Sequence, residues 1–176
     1  MSDLFKISGT LEIGDEVIEN QVTKEGIKSI MGSLADNSIC KITNMMLLNG
    51  FVVPAGKSLK DLTFNDVKNY IAYEGFVGNN NKRNEDLTID MRVYISDTEP
   101  FELTSISTIP SDKSNSYPFF NAAVLVVDGD ENQSTSQSSG VYQETGNEKL
   151  FSVCVFSNRE KISTEPFSLV WYIKIQ

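Results

Sequence analysis

Apolar and polar positions alternate along most of this chain, and the places where that period breaks divide it into elements. In residues 4–13, LFKISGTLEI, apolar Phe5, Ile7, Leu11 and Ile13 occupy odd positions, the mark of a strand with one buried face. Gly14-Asp15 is a turn signal, and Glu16 to Glu19 reads as a short returning strand. The period then changes to that of a helix. Ile27, Ile30, Met31 and Leu34 recur at i, i+3, i+4 and i+7, with Thr23 placed to cap and Glu25 in the first turn, so a short helix is expected over about residues 24–35. Gly26 and Gly32 weaken it.

A strand from Ile39 to Leu48 follows and ends at Asn49-Gly50. Residues 51–86 carry no clear period. Leu59, Leu62 and Val67 suit either a short helix or a loop docked on a sheet. NNNKRNED at 79–86 reads as a solvated loop tip. From Leu87 the pattern is β throughout. Leu87, Ile89, Met91, Val93 and Ile95 alternate with polar residues, and Phe101 to Ile109 forms a weaker strand. Phe119 to Val127 is apolar on both faces, which places it at the centre of a sheet or beneath a partner. After a polar loop at 128–140, strands are expected at Leu150 to Ser157 and Phe167 to Gln176. In the last of these Leu169, Trp171, Ile173 and Ile175 share the inner face, with Val170 and Tyr172 on the other. The fold class is therefore mainly β: a sandwich or jelly-roll-like single domain, residues 1–176, with one short N-terminal helix and late strands pairing in sequence.

Chemistry narrows this picture chiefly by what the chain lacks. It has no histidine, which removes Ser-His-Asp and Cys-His catalysis and most zinc and copper sites. Cys40 and Cys154 lie far apart and read as buried thiols. Neither a phosphate-binding loop nor a nucleophile elbow is present. Asp128, Asp130 and Asn132 open like a calcium loop. Gln133 then stands where glycine is wanted and Ser139 where a bidentate glutamate is wanted, so a polar hairpin loop is the better reading and calcium a weak one. The pair Glu99 and Glu102 sits among ordinary surface residues. A non-enzymatic protein without cofactor or metal is expected.

The 176 residues carry 24 acidic against 15 basic side chains, a net charge of −9 that repels a phosphate backbone, so no nucleic-acid partner is expected. No apolar run approaches the roughly 20 residues that a membrane helix needs. The Met-Ser-Asp-Leu-Phe-Lys start shows no basic region followed by an apolar one, and synthesis and folding in the cytosol are expected.

One ordered set of short features is similar to a known pattern. Asn20, Val22, Thr23, Gly26 and Ile30 precede a strand ending in glycine, Ile42 to Gly50. An apolar strand, Asn121 to Val127, follows in the middle of the chain. Leu150-Phe-Ser-Val-Cys-Val-Phe156, Lys161 and Leu169-Val-Trp-Tyr-Ile-Lys-Ile175 close it. This order resembles bacteriophage tail, collar and head-fibre components. Asn49-Gly50 stands where that family usually has Gly-x-Gly, and Val124-Leu125 lies where it has Glu-x-Gly-Leu. The resemblance implies a virion β-sandwich made in the host cytoplasm that trimerises or docks on other virion proteins, without catalytic residues. Val124, Val126, Val170 and Tyr172 are the interface candidates on this reading. The alternative is a carbohydrate-binding sandwich recognising a host-surface glycan through exposed aromatic rings.

Overall fold

The computed structural model describes residues 7–29, 42–76, 88–94, 101–109, 119–127, 146–162, 165 and 167–175. They form ten strands in two five-stranded antiparallel sheets facing each other as a β-sandwich. The first sheet runs β2 (Glu16–Glu19), β1 (Ile7–Ile13), β10 (Phe167–Ile175), β7 (Phe101–Ile109), β6 (Thr88–Tyr94). The second runs β3 (Gln21–Val22), β9 (Lys149–Glu160), β8 (Phe119–Val127), β4 (Ile42–Leu48), β5 (Ile71–Phe76).

Alternation decides which residues meet between the sheets. Leu11, Ile13, Leu169, Trp171 and Ile173 of the first sheet face Met45, Leu47, Leu125, Phe151 and Cys154 of the second. Phe120 is an aromatic hub of this core. Its ring meets Tyr73, Phe156 and Phe167 edge-on, with centroids 6.1, 6.0 and 4.9 Å away. Register shifts in the β8–β9 pairing, between Phe120 and Ala122 and again between Leu125 and Val126, change which residues face inward along these two strands.

The second sheet is buried on its outer face too. Met46, Leu48, Ala122, Val124, Val126, Leu150 and Val153 lie under Phe51, Leu62, Phe64 and Val67. These four side chains come from the segment between β4 and β5, which leaves the sheet at Asn49-Gly50, crosses its face and returns at Tyr70. Gly50 turns the chain with φ of 63°. The Asn49 N–H donates to the Tyr70 carbonyl (2.8 Å), so the ends of this strap are joined. Two capping boxes, Ser58 with Asp61 and Thr63 with Asp66, start the first of its two single-turn 3-10 helices (Leu59–Asp61) and its short α-helix, α2 (Phe64–Val67), which a second 3-10 turn (Lys68–Tyr70) follows. Both readings of Leu59, Leu62 and Val67 hold in part: the segment docks on the sheet, Leu59 opens a 3-10 turn and Val67 closes a short α-helix. β5, which follows directly, had no strand signal in the sequence.

The strap's ion pairs predict that its docking weakens in acid. The Lys24 ammonium, followed by the Ser58 hydroxyl, holds the Asp61 carboxyl well below the ordinary 3.8. At Asp66, burial pushes upward, but Lys57 and the Thr63 N–H outweigh it and the net direction is down. Both groups bind protons more tightly when unfolded. Their stabilisation is therefore complete above about pH 4 and is lost as pH falls through the folded-state values. Hydrogen exchange at the Leu62 and Asp66 amides, corrected for the intrinsic rate, is expected to speed up on acidification below about pH 4 while the β8 amides stay protected. Unchanged protection of the strap would contradict this account.

The N-terminal helix, α1, is seen over residues 24–29; the rest of its expected span lies outside the described residues. Thr23 caps it as expected. Its hydroxyl accepts from the Gly26 N–H (2.9 Å) and donates to the Leu150 carbonyl, while its own N–H donates to Phe151 O (3.1 Å). Glu25 does more than face the helix dipole. Its carboxylate accepts from the backbone N–H of Leu150 (2.9 Å) and of Phe64 (3.3 Å), joining α1, β9 and α2.

One pairing expectation is corrected. β8 and β9 pair in sequence, but β9 and β10 lie in different sheets, and β10 pairs with β1 and β7. The first strand of the chain is thereby joined to the last.

Candidate functional site

The four interface candidates separate into two pairs. Val124 and Val126 are fully buried, at 0% exposure, beneath the chain's own strap. The expectation that this face of β8 awaits a partner subunit is corrected: the segment at 51–70, whose period was unreadable, supplies the cover. Of the two readings offered for a strand apolar on both faces, the central one holds, with β8 between β9 and β4.

Val170 and Tyr172 are different. Both lie on the outer face of the first sheet, opposite the inward Leu169, Trp171 and Ile173. Cross-strand register sets them in two rows. Val170 stands opposite Glu12, which stands opposite Val17, while Tyr172 stands opposite Thr10 and then Glu19. Val170 is half-buried, whereas Tyr172 is 42% and Val17 61% exposed. On the same strand, the Ser168 hydroxyl lies 3.2 Å from that of Thr108 on β7. The surface is mixed: two valines and a tyrosine ring set among threonine, serine and carboxylates. Such composition suits an interface that must also stay soluble before assembly. Sequence reasoning found Val170 and Tyr172 by phase; it missed Val17, because a four-residue strand offers too few positions to assign a face.

A second feature is a cleft of about 470 Å³ at the corner where the strap leaves β4, lined by Asn49, Phe51, Val52, Phe119, Asn121 and Asn158 among others. The Asn121 side chain clamps the Phe51 backbone, accepting from its N–H and donating to its carbonyl, both at 2.9 Å. Asn49 Nδ2 donates to the Phe119 carbonyl (2.9 Å). Phe119 and Val52 are exposed at 41% and 67%. The sequence signalled only the Asn49-Gly50 turn here, since the lining residues are brought together from three separate stretches of chain.

The remaining candidates carry less. Cys154 is a free thiol in the inter-sheet core, and burial pushes it up to about 12, so it stays protonated and unreactive at neutral pH. Cys40, the Asp128, Asp130 and Asn132 triplet and both polar loops lie outside the described residues. Among the described residues no group of three or more His, Cys, Asp or Glu side chains is placed to hold a metal ion. Nor, among them, is any helix long and apolar enough to cross a membrane.

The residues that carry the phage-like resemblance fall on structural joints. Asn20 is buried and its N–H donates to Gly9 O (2.9 Å). Val22 pairs with Ser152, Thr23 caps α1, and Gly26 packs against the Phe151 carbonyl. Lys161 is buried and donates from Nζ to the Ile162 carbonyl (2.7 Å). Trp171 is a core residue, as its phase predicts. No protein-family model, curated protein or solved structure matches the chain.

Proposed function

We propose that this chain is a non-enzymatic structural subunit of a bacteriophage particle, acting through protein–protein assembly. One observation carries the reading. The second sheet has both faces covered by the chain itself, whereas the first exposes Tyr172 and Val17 beside Val170 on its outer face. A stable interface buries roughly 1,600 Å² in total, about 800 Å² per partner, and one sheet face is of that order. The ordered resemblance to tail, collar and head-fibre components supports the same reading, because its residues build the joints that hold the two sheets and the strap together. A homo-oligomer, with a trimer favoured, docked on other virion proteins follows from that resemblance.

Light scattering coupled to size-exclusion chromatography tests it. The purified chain is expected to run as a closed oligomer, and Val170→Asp and Tyr172→Asp to run as folded monomers with unchanged circular dichroism. Self-assembly through this face is refuted if the parent is monomeric at every concentration, or if both variants keep the parent's mass.

A further inference from the structure

We propose that the cleft at the Asn49-Gly50 corner binds a neutral sugar ring. The site is separate from the assembly face and does not depend on it.

The chemistry of the walls selects the ligand class. Asn49, Gly50, Phe51, Val52, Phe119, Asn121, Phe156 and Asn158 line the cleft, and none of them is ionisable, in a chain with 39 charged side chains, 24 acidic and 15 basic. An ionic ligand would lose its hydration and find no counter-charge among the described lining residues. A purely apolar ligand would leave three amide side chains to be desolvated without compensation. A pyranose satisfies both parts. Its hydroxyls donate and accept, as amides do, and its C–H face packs on a phenyl ring such as exposed Phe119.

The amides are also held in place. Asn121 spends one hydrogen bond from each end on the Phe51 backbone, and Asn49 spends one Nδ2 hydrogen on Phe119 O. A primary amide has two donor hydrogens and two acceptor lone pairs, so each keeps further capacity after fixing the wall. Groups already ordered lose little entropy when a ligand arrives. The cleft, about 470 Å³, is open to solvent, so a ring would lie on it with one face covered and the other in water.

An extended peptide fits less well. Strand addition needs a free sheet edge; β4 pairs with β8 only as far as Ala122, and beyond it the strap occupies the edge, with Asn49 Nδ2 on the Phe119 carbonyl and the Phe51 backbone held by Asn121. A compact ligand seated on the corner is the occupant that this geometry favours.

The test uses the full chain, isotope-labelled, in two-dimensional nitrogen–proton NMR titrations with glucose, galactose, N-acetylglucosamine and its trisaccharide at millimolar concentrations. At least one sugar is expected to give saturable shifts at the Asn49, Asn121 and Asn158 side-chain amides and at the Gly50 and Val52 backbone. Phe119→Ala is expected to weaken that binding at least tenfold. Asn158→Ala, a change on an exposed side chain that leaves the fold intact, is expected to weaken it severalfold. Tyr172→Asp, on the other sheet, is expected to leave it unchanged, which separates this site from the assembly face. The proposal is overturned if no sugar shifts these resonances, or if Phe119→Ala and Asn158→Ala both bind as the parent does. It is likewise overturned if the cleft responds to N-acetyl-phenylalanyl-valinamide and to no sugar.

Discussion

Gly26→Ala is expected to destabilise the chain by about 3 kcal/mol, although the same change in an exposed helix would stabilise it by about 1 kcal/mol. The sign is reversed by packing. A Cβ at position 26 would stand 2.2 Å from the Phe151 carbonyl oxygen and 2.9 Å from its carbon, and both are backbone atoms of β9. They cannot swing away as a side-chain tip can. Relief requires α1 to lift from the sheet, and the helix is tied there at both sides of the contact. Thr23 is bonded to Leu150 and Phe151, and Glu25 bridges the Leu150 and Phe64 N–H groups. Lifting α1 would also loosen the strap that covers the outer face of the second sheet. Urea unfolding of the parent and of Gly26→Ala measures the difference directly. Equal or greater stability of the variant would show that the helix has room to move and that this joint is not tight.

The larger effect is expected at Val124. Val124→Asp should abolish folding, with no folded monomer recovered. Val124 is fully buried between Met46 on β4 and Val153 on β9, under the strap. An unpaired acidic side chain there costs about 3–5 kcal/mol even when its pKa rises so that it stays a neutral carboxylic acid, and the valine's packing is lost as well. A domain of this size has a total stability of about 5–15 kcal/mol, so little or nothing remains. Far-UV circular dichroism and size-exclusion chromatography of the variant provide the check. A well-folded Val124→Asp monomer would mean that the strap does not seal this face, and would return β8 to the list of assembly surfaces. The contrast with Tyr172→Asp is direct: the same substitution type is expected to be lethal to folding in one sheet and to affect only assembly in the other.

The difference between these two sites shows where sequence reading reached and where it stopped. Phase along β10 was enough to assign Trp171 to the core and Tyr172 to the outside, since one face of that strand is apolar and the other mixed. Phase along β8 was uninformative, since every position from Ala122 to Val127 is buried. A strand covered on both faces reads the same whether its cover is a second subunit or another part of the same chain. Only the docking of residues 51–70 decided between them. That segment was itself unreadable by period, because its apolar residues serve a loop with single-turn helices, where neither a two-residue nor a 3.6-residue repeat is sustained. Its capping boxes, Ser58-Asp61 and Thr63-Asp66, were nonetheless written locally.

The candidate sites divide in the same way. Val170 and Tyr172 belong to one strand and could be found from it. The cleft could not, because Asn49, Phe119 and Asn158 come from three strand ends that only the sheet order brings together. The same holds for Gly26. In sequence it was a weak point in a helix, and only the approach of the Phe151 backbone gives it a purpose.

What the sequence by itself determined is the local and periodic part: a mainly β chain, the bounds of Phe101–Ile109 and Phe119–Val127, the Thr23 cap and the inward face of β10. These follow from alternation and capping, which act over a few residues. The tertiary structure alone decided that β10 pairs with β1 and β7, that the strap seals β8, and that Tyr172 and Val17 stay exposed on the outer face of the first sheet. The physical reason is that a strand's hydrogen-bonding edges carry no address. Its partner is chosen by which combination of faces buries the most apolar surface across the whole chain.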